Sequence, residues 1–156
     1  KGITGGYLPL SAVLTTDDIY AAFWGDDTAR GFLHSHSYTG NPLACRAALA
    51  VLDIFEHDNV IAANRVKAIE FTRILAEVSA HFRVRHFRHL GMIWAFDVAD
   101  ATPGFSARFH RKALAHGVFI RPIGNTVYVM PPYVTSADEM RGLADAVMIC
   151  LDHLDV

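Results

Sequence analysis

Phe82-Arg83-Val84-Arg85-His86-Phe87, followed by Leu90-Gly91 and then Met92-Ile93-Trp94-Ala95-Phe96-Asp97-Val98, is the stretch that decides the fold class. In its first run apolar and basic residues alternate, the period of a half-buried strand with one solvated face. The second run is aromatic and apolar, and Leu90-Gly91 separates the two as a turn. Upstream the pattern is helical. A helix is expected from Val60 to about Ala80, with Ala68, Phe71, Leu75, Val78 and Phe82 as its apolar stripe. Downstream, Phe105, Phe109, Ala113 and His116 mark one helix face. Val118–Arg121 and Thr126–Met130 read as two more strands, joined by the turn Pro122-Ile123-Gly124-Asn125. Ser136-Ala137-Asp138-Glu139 is a capping box for a last helix carrying Met140, Leu143, Val147, Leu151 and Leu154 on one face. This order predicts a compact α/β unit over residues 57–156.

Residues 1–56 read differently. Leu8–Thr15 is apolar with β-branched members and is expected to be a strand. Thr16-Asp17-Asp18 caps a short helix through Phe23, Gly25–Gly31 is a polar loop, and Phe32–Gly40 is a structured loop. Asn41-Pro42 starts a helix over Leu43–Phe55, because Asn caps free N–H groups and Pro is tolerated at the first helical position. His57-Asp58-Asn59 interrupts it. One strand, one short helix and a loop cannot close a core, so this part is expected to belong to a larger domain whose remainder lies before Lys1.

Composition excludes several classes. The chain has 156 residues, of which 52% are hydrophobic and 19% charged, so it is globular rather than disordered. A net charge of -2 supplies no global basic field for nucleic acid. No apolar run reaches the roughly 18 residues that span a bilayer, and no signal-peptide pattern opens the chain. The two cysteines, Cys45 and Cys150, lack metal-ligand spacing and read as reduced thiols of a cytoplasmic protein.

Three segments carry chemistry. The first is Lys1-Gly2-Ile3-Thr4-Gly5-Gly6, a lysine before a Gly-rich turn, which can present an amine to a carbonyl cofactor. Alone, such a lysine reads as a solvated surface charge. The second is Leu33-His34-Ser35-His36-Ser37-Tyr38-Thr39-Gly40-Asn41-Pro42, a hydroxyl-rich loop feeding a capped helix, which can bind an oxyanion. His34 and His36 could be metal ligands, but no acidic or Cys partner has suitable spacing, and no metal is expected. The third runs from Phe119-Ile120-Arg121-Pro122 to Tyr128-Val129-Met130-Pro131-Pro132-Tyr133. Arg121 before a rigid turn can clamp a carboxylate with two parallel hydrogen bonds, or serve in a structural ion pair.

Together these segments, in one collinear order over nearly the whole chain, resemble the class III pyridoxal-phosphate-dependent aminotransferases. The resemblance implies the fold type I α/β architecture: residues 1–56 as the C-terminal part of the large cofactor-binding domain and the start of a linking helix, and residues 57–156 as the small C-terminal α/β domain. It implies pyridoxal 5'-phosphate as cofactor, bound covalently by Lys1, whose freed amine then shuttles the proton. His36 and Ser37 match positions that contact the cofactor phosphate from the neighbouring subunit of a homodimer with shared active sites. Ser35 matches a substrate-contacting position, and Arg121 the arginine that holds the carboxylate of the keto substrate. Ser37 stands where many relatives have Thr, which keeps the hydroxyl.

The Arg121-Pro122 to Met130-Pro131-Pro132-Tyr133 element favours the branch that passes an amino group from S-adenosylmethionine to 8-amino-7-oxononanoate in biotin biosynthesis. Ornithine, 4-aminobutyrate or omega-amino acid aminotransferases are the alternative. A distant alternative is a non-catalytic anion- or nucleic-acid-binding module using residues 81–89, where basic residues and aromatics interleave. The family's ring partners and main phosphate loop precede the lysine, so the chain alone is expected to be inactive.

Overall fold

The structure is a computed structural model and describes residues 1–153. The chain divides into two compact units, Lys1–Val60 and a second from Ile61 onward. No helix among the described residues is long and apolar enough to cross a membrane.

The first unit contains a 3-10 turn (Gly2–Thr4), α1 (Asp17–Phe23), a second 3-10 turn (Thr28–Arg30) and α2 (Pro42–His57). Thr16 caps α1 by accepting from the N–H of Ile19, and Asn41 caps α2 by accepting from Leu43 and Ala44. The Gly2–Thr4 turn packs on α2, where Ala44 and Ala48 are buried and small enough to admit it. The expected strand at Leu8–Thr15 does not form. A strand needs a neighbour for its N–H and C=O groups. No described segment pairs with this one, and Val13 and Leu14 stand 91% and 96% exposed.

The second unit takes in α3 (Val60–Ile74), α4 (Ala76–Ala80), β1 (Val84–Leu90), β2 (Ile93–Val98), α5 (Phe105–Ala115), β3 (Thr126–Val129) and α6 (Ala137–Asp152). The strands form one antiparallel sheet in the order β1-β2-β3. Its helix-covered face buries Val84, Trp94, Phe96, Val98, Val127 and Val129 against Phe71, Leu75 and Val78 of the α3–α4 region, Phe109 of α5 and Met140 and Val147 of α6. Each such side chain, taken fully from water, stabilises by about 1.5–3 kcal/mol. The Trp94 indole N–H donates to Thr72 Oγ1 at 2.9 Å, so the largest core residue is also satisfied as a donor.

Three expectations are corrected. The helix expected over 60–80 breaks at Leu75, and Phe82 leaves the buried stripe to lie exposed beneath the Arg83 guanidinium. Val118–Arg121 is not a strand, because its backbone groups are used by α5: Val118 N–H donates to Ala113 O, and Ile120 O accepts from His110. His116 caps the end of α5 and is exposed rather than on its buried face. Leu154, expected on the last apolar face, lies outside the described residues.

Candidate functional site

Lys1 is held by the turn that follows it. Its carbonyl accepts from Thr4 N–H at 3.2 Å and Gly6 N–H at 2.9 Å. Gly5 and Gly6 have φ of 62° and 83°, a consecutive left-handed pair that side chains oppose. The Thr4 side chain, 1% exposed, donates to Leu8 O and closes the turn. The Lys-x-x-Thr-Gly-Gly pattern therefore has a physical reading: two glycines bend the chain and one buried hydroxyl locks it.

Lys1 lines a cavity of about 950 Å³ with Ser11, His36, Thr39, Asn41 and others of the first unit. His36 Nδ1 accepts from Tyr38 N–H at 3.1 Å, which leaves the proton on Nε2. Thr39 Oγ1 accepts from His36 N–H at 3.3 Å, which leaves its hydroxyl hydrogen free to donate outward. Both residues line the same cavity, and an imidazole N–H and a hydroxyl are a donor set suited to an anion such as a phosphate. Ser35 and Ser37 lie exposed on the same loop but outside the lining of this cavity. Among the described residues, no group of three or more His, Cys, Asp or Glu is placed to hold a metal ion.

Arg121 lies in the second unit, exposed between the buried Ile120 and Pro122. Its guanidinium sits over the Phe119 ring, 5.5 Å from the centroid. It lines a cavity of about 480 Å³ with Phe119, Tyr128, Pro132 and Glu139. No carboxylate among the described residues forms an ion pair with it, unlike Arg88, which reaches Asp97 at 3.4 Å. Glu139 Oε2 instead accepts from Ser136 N–H at 2.7 Å and Ser136 Oγ at 2.9 Å, and these bonds hold its carboxyl below the usual range. Lys67 Nζ donates to the carbonyls of Tyr133 and Thr135 and ties the Pro131–Thr135 segment to α3.

Sequence reasoning missed Thr39, Ser11, Tyr128 and Lys67. Thr39 was findable as a third hydroxyl of the oxyanion loop. Lys67 gave no signal, since its partners are backbone carbonyls more than 60 residues away. The basic stretch 81–89 is partly neutralised from within: His86 and Arg88 both reach Asp97, and Arg85 donates to the carbonyls of Phe82 and Val84.

Residues 1–151 match the family described as Aminotransferase class-III. The adenosylmethionine-8-amino-7-oxononanoate aminotransferase of Helicobacter pylori is 43% identical over 160 residues, covering 99% of this chain and 37% of that protein. The crystal structure of the enzyme of that name from Methanocaldococcus jannaschii superposes with a TM-score of 0.89 at 35% identity, over 99% of this chain and 37% of that one. An amine transaminase from an uncultivated Pseudomonas species, solved in its PLP-bound form, gives a TM-score of 0.82 at 32% identity, over 96% and 36% of the two chains. The chain spans little more than a third of the length of these relatives, and the α/β fold is one it shares with them.

Proposed function

This chain belongs to the class-III aminotransferase family, and on that premise we propose that it supplies the lysine, oxyanion loop and carboxylate-binding arginine of a pyridoxal-phosphate-dependent aminotransferase. The proposed reaction moves the amino group of S-adenosylmethionine to 8-amino-7-oxononanoate, giving 7,8-diaminononanoate for biotin synthesis. The names of the relatives at up to 43% identity support this choice of substrates. Residues 1–56 are assigned to the large domain and the start of the linking helix, residues 57–156 to the small domain, and the whole enzyme to a cytoplasmic homodimer with shared active sites.

The observation that carries the reading is Lys1, fixed by its Thr4-Gly5-Gly6 turn at a cavity that also receives the His36 imidazole and Thr39 hydroxyl. The loop's donor set suits the phosphate of a cofactor held by the neighbouring subunit. Lys1 would hold the cofactor covalently through its amine. His36 and Ser37 would contact the cofactor phosphate across the dimer, each from the neighbouring subunit, and Ser35 would touch substrate. Bound there, pyridoxal 5'-phosphate supplies the electron sink that makes the substrate carbon acidic. The Lys1 amine, displaced by the incoming substrate amine, would take that proton and return it, as one positioned acid–base group can. Arg121 would grip the acceptor's carboxylate in a bidentate pair, a bond worth about 1.5–3 kcal/mol.

Borohydride reduction of the intact enzyme tests this directly. A cofactor adduct is expected on the peptide containing Lys1 and is expected to vanish in Lys1→Ala. An adduct trapped on another lysine would overturn the assignment.

A further inference from the structure

Arg121 is fixed in the chain from both sides by one helix. The carbonyl before it, Ile120 O, accepts from His110 Nδ1 at 2.7 Å, and the carbonyl after it, Pro122 O, accepts from Ser106 Oγ at 2.5 Å. Ser106 and His110 stand four residues apart on α5 and so share one face. A carbonyl oxygen only accepts, so the His110 proton is on Nδ1. The same imidazole meets the Phe119 ring edge-on, with centroids 5.2 Å apart and planes at 85°. Phe119 is the ring on which the Arg121 guanidinium rests. His110 thus touches both the backbone at the root of the Arg121 side chain and the surface under its tip. Pro122 adds a third restraint, since a residue before proline is confined to extended backbone.

We propose that Ser106 and His110 are positioning residues for Arg121, setting where its guanidinium presents itself to a carboxylate. This rests on the reading of Arg121 as the acceptor-carboxylate arginine. Neither residue need touch substrate. Their spacing makes α5 a two-point template: moving the His110 contact rotates the peptide plane that enters Arg121, moving the Ser106 contact shifts the proline that follows it, and either swings a side chain whose tip is several bonds away. A purely structural role would lower activity in both half-reactions alike, whereas positioning costs only recognition of the acceptor.

The test uses the intact holoenzyme and compares His110→Leu, His110→Asn, Ser106→Ala and Arg121→Ala. His110→Leu and Ser106→Ala are each expected to raise KM for the keto acceptor by about 3- to 10-fold, the effect of losing one hydrogen bond. The donor half-reaction should stay at its wild-type rate. His110→Asn, whose amide can replace Nδ1–H, should recover much of the loss. In an Arg121→Ala background neither substitution should raise acceptor KM further, because the group they position is gone. An undiminished effect in that background, or an equal loss in both half-reactions, would overturn the proposal. So would unchanged acceptor KM in both Ser106→Ala and His110→Asn, the two variants that keep the α5 packing, combined with no rise in His110→Leu. If Arg121→Ala itself leaves acceptor KM unchanged, the carboxylate reading fails first and this proposal falls with it.

Discussion

His86 Nδ1 lies 2.9 Å from Asp97 Oδ2, across a register shift in β1 that gives His86 a φ of 50°. His86 and Arg88, two residues apart at this shift, reach the same carboxylate, while Thr126 Oγ1 donates to it from β3 at 2.7 Å. Asp97 thereby fastens all three strands on the face away from the helices.

The Asp97 carboxyl is held below its ordinary value of 3.8, chiefly by the Thr126 hydroxyl, then by His86 and Arg88. A depressed folded pKa contributes stability that is complete above the unfolded value and lost as pH falls through the folded one. Asp97→Asn should therefore lower the melting temperature at neutral pH and shrink the loss of stability on acidification below about pH 4. Thermal melts across that range check it; an unchanged acid limb would remove Asp97 as its source.

Thr72 links helix and sheet by donating to Ala68 O at 2.7 Å and accepting from the Trp94 indole. Thr72→Val keeps the shape but strands a buried N–H, and should cost about 1–3 kcal/mol in denaturant unfolding. Thr72→Ser should retain most of the stability.

Gly6→Ala should cost about 1 kcal/mol although a Cβ there meets nothing within 4 Å, because its φ of 83° opposes any side chain. Gly2, equally open but without positive φ, should tolerate Ala with little change in melting temperature. The contrast separates backbone strain from crowding at the lysine turn.

Burial pushes the Cys150 thiol above its ordinary value of 9.0, against a weaker pull from Lys112. The thiolate is the reactive form, so Cys150 should resist Ellman's reagent in the native enzyme and react on unfolding. Mass mapping of the labelled peptide decides it.

Much of the second unit was legible because its periods are local. Phe105, Phe109 and Ala113 recur at helical spacing and are all buried, and the Ser136–Glu139 box forms as read. The helix caps at Thr16 and Asn41 were legible for the same reason: they are contacts within a few residues. Val118–Arg121 misled because β-propensity cannot foresee that His110 would take the Ile120 carbonyl. Leu8–Thr15 misled because a strand is a relation between two segments, and its pattern names only one. The lysine turn could be recognised by resemblance, but its reason, a buried Thr4 and two left-handed glycines, needed coordinates.

Glu139 gives the capping box of α6 a second meaning. It is an acid lining the cavity that Arg121 also lines. Ser136 keeps it engaged with two hydrogen bonds at the helix start. A device ordinarily read as a way to begin a helix thus also decides where the acid of this cavity spends its carboxylate: on the start of α6, not in an ion pair with Arg121.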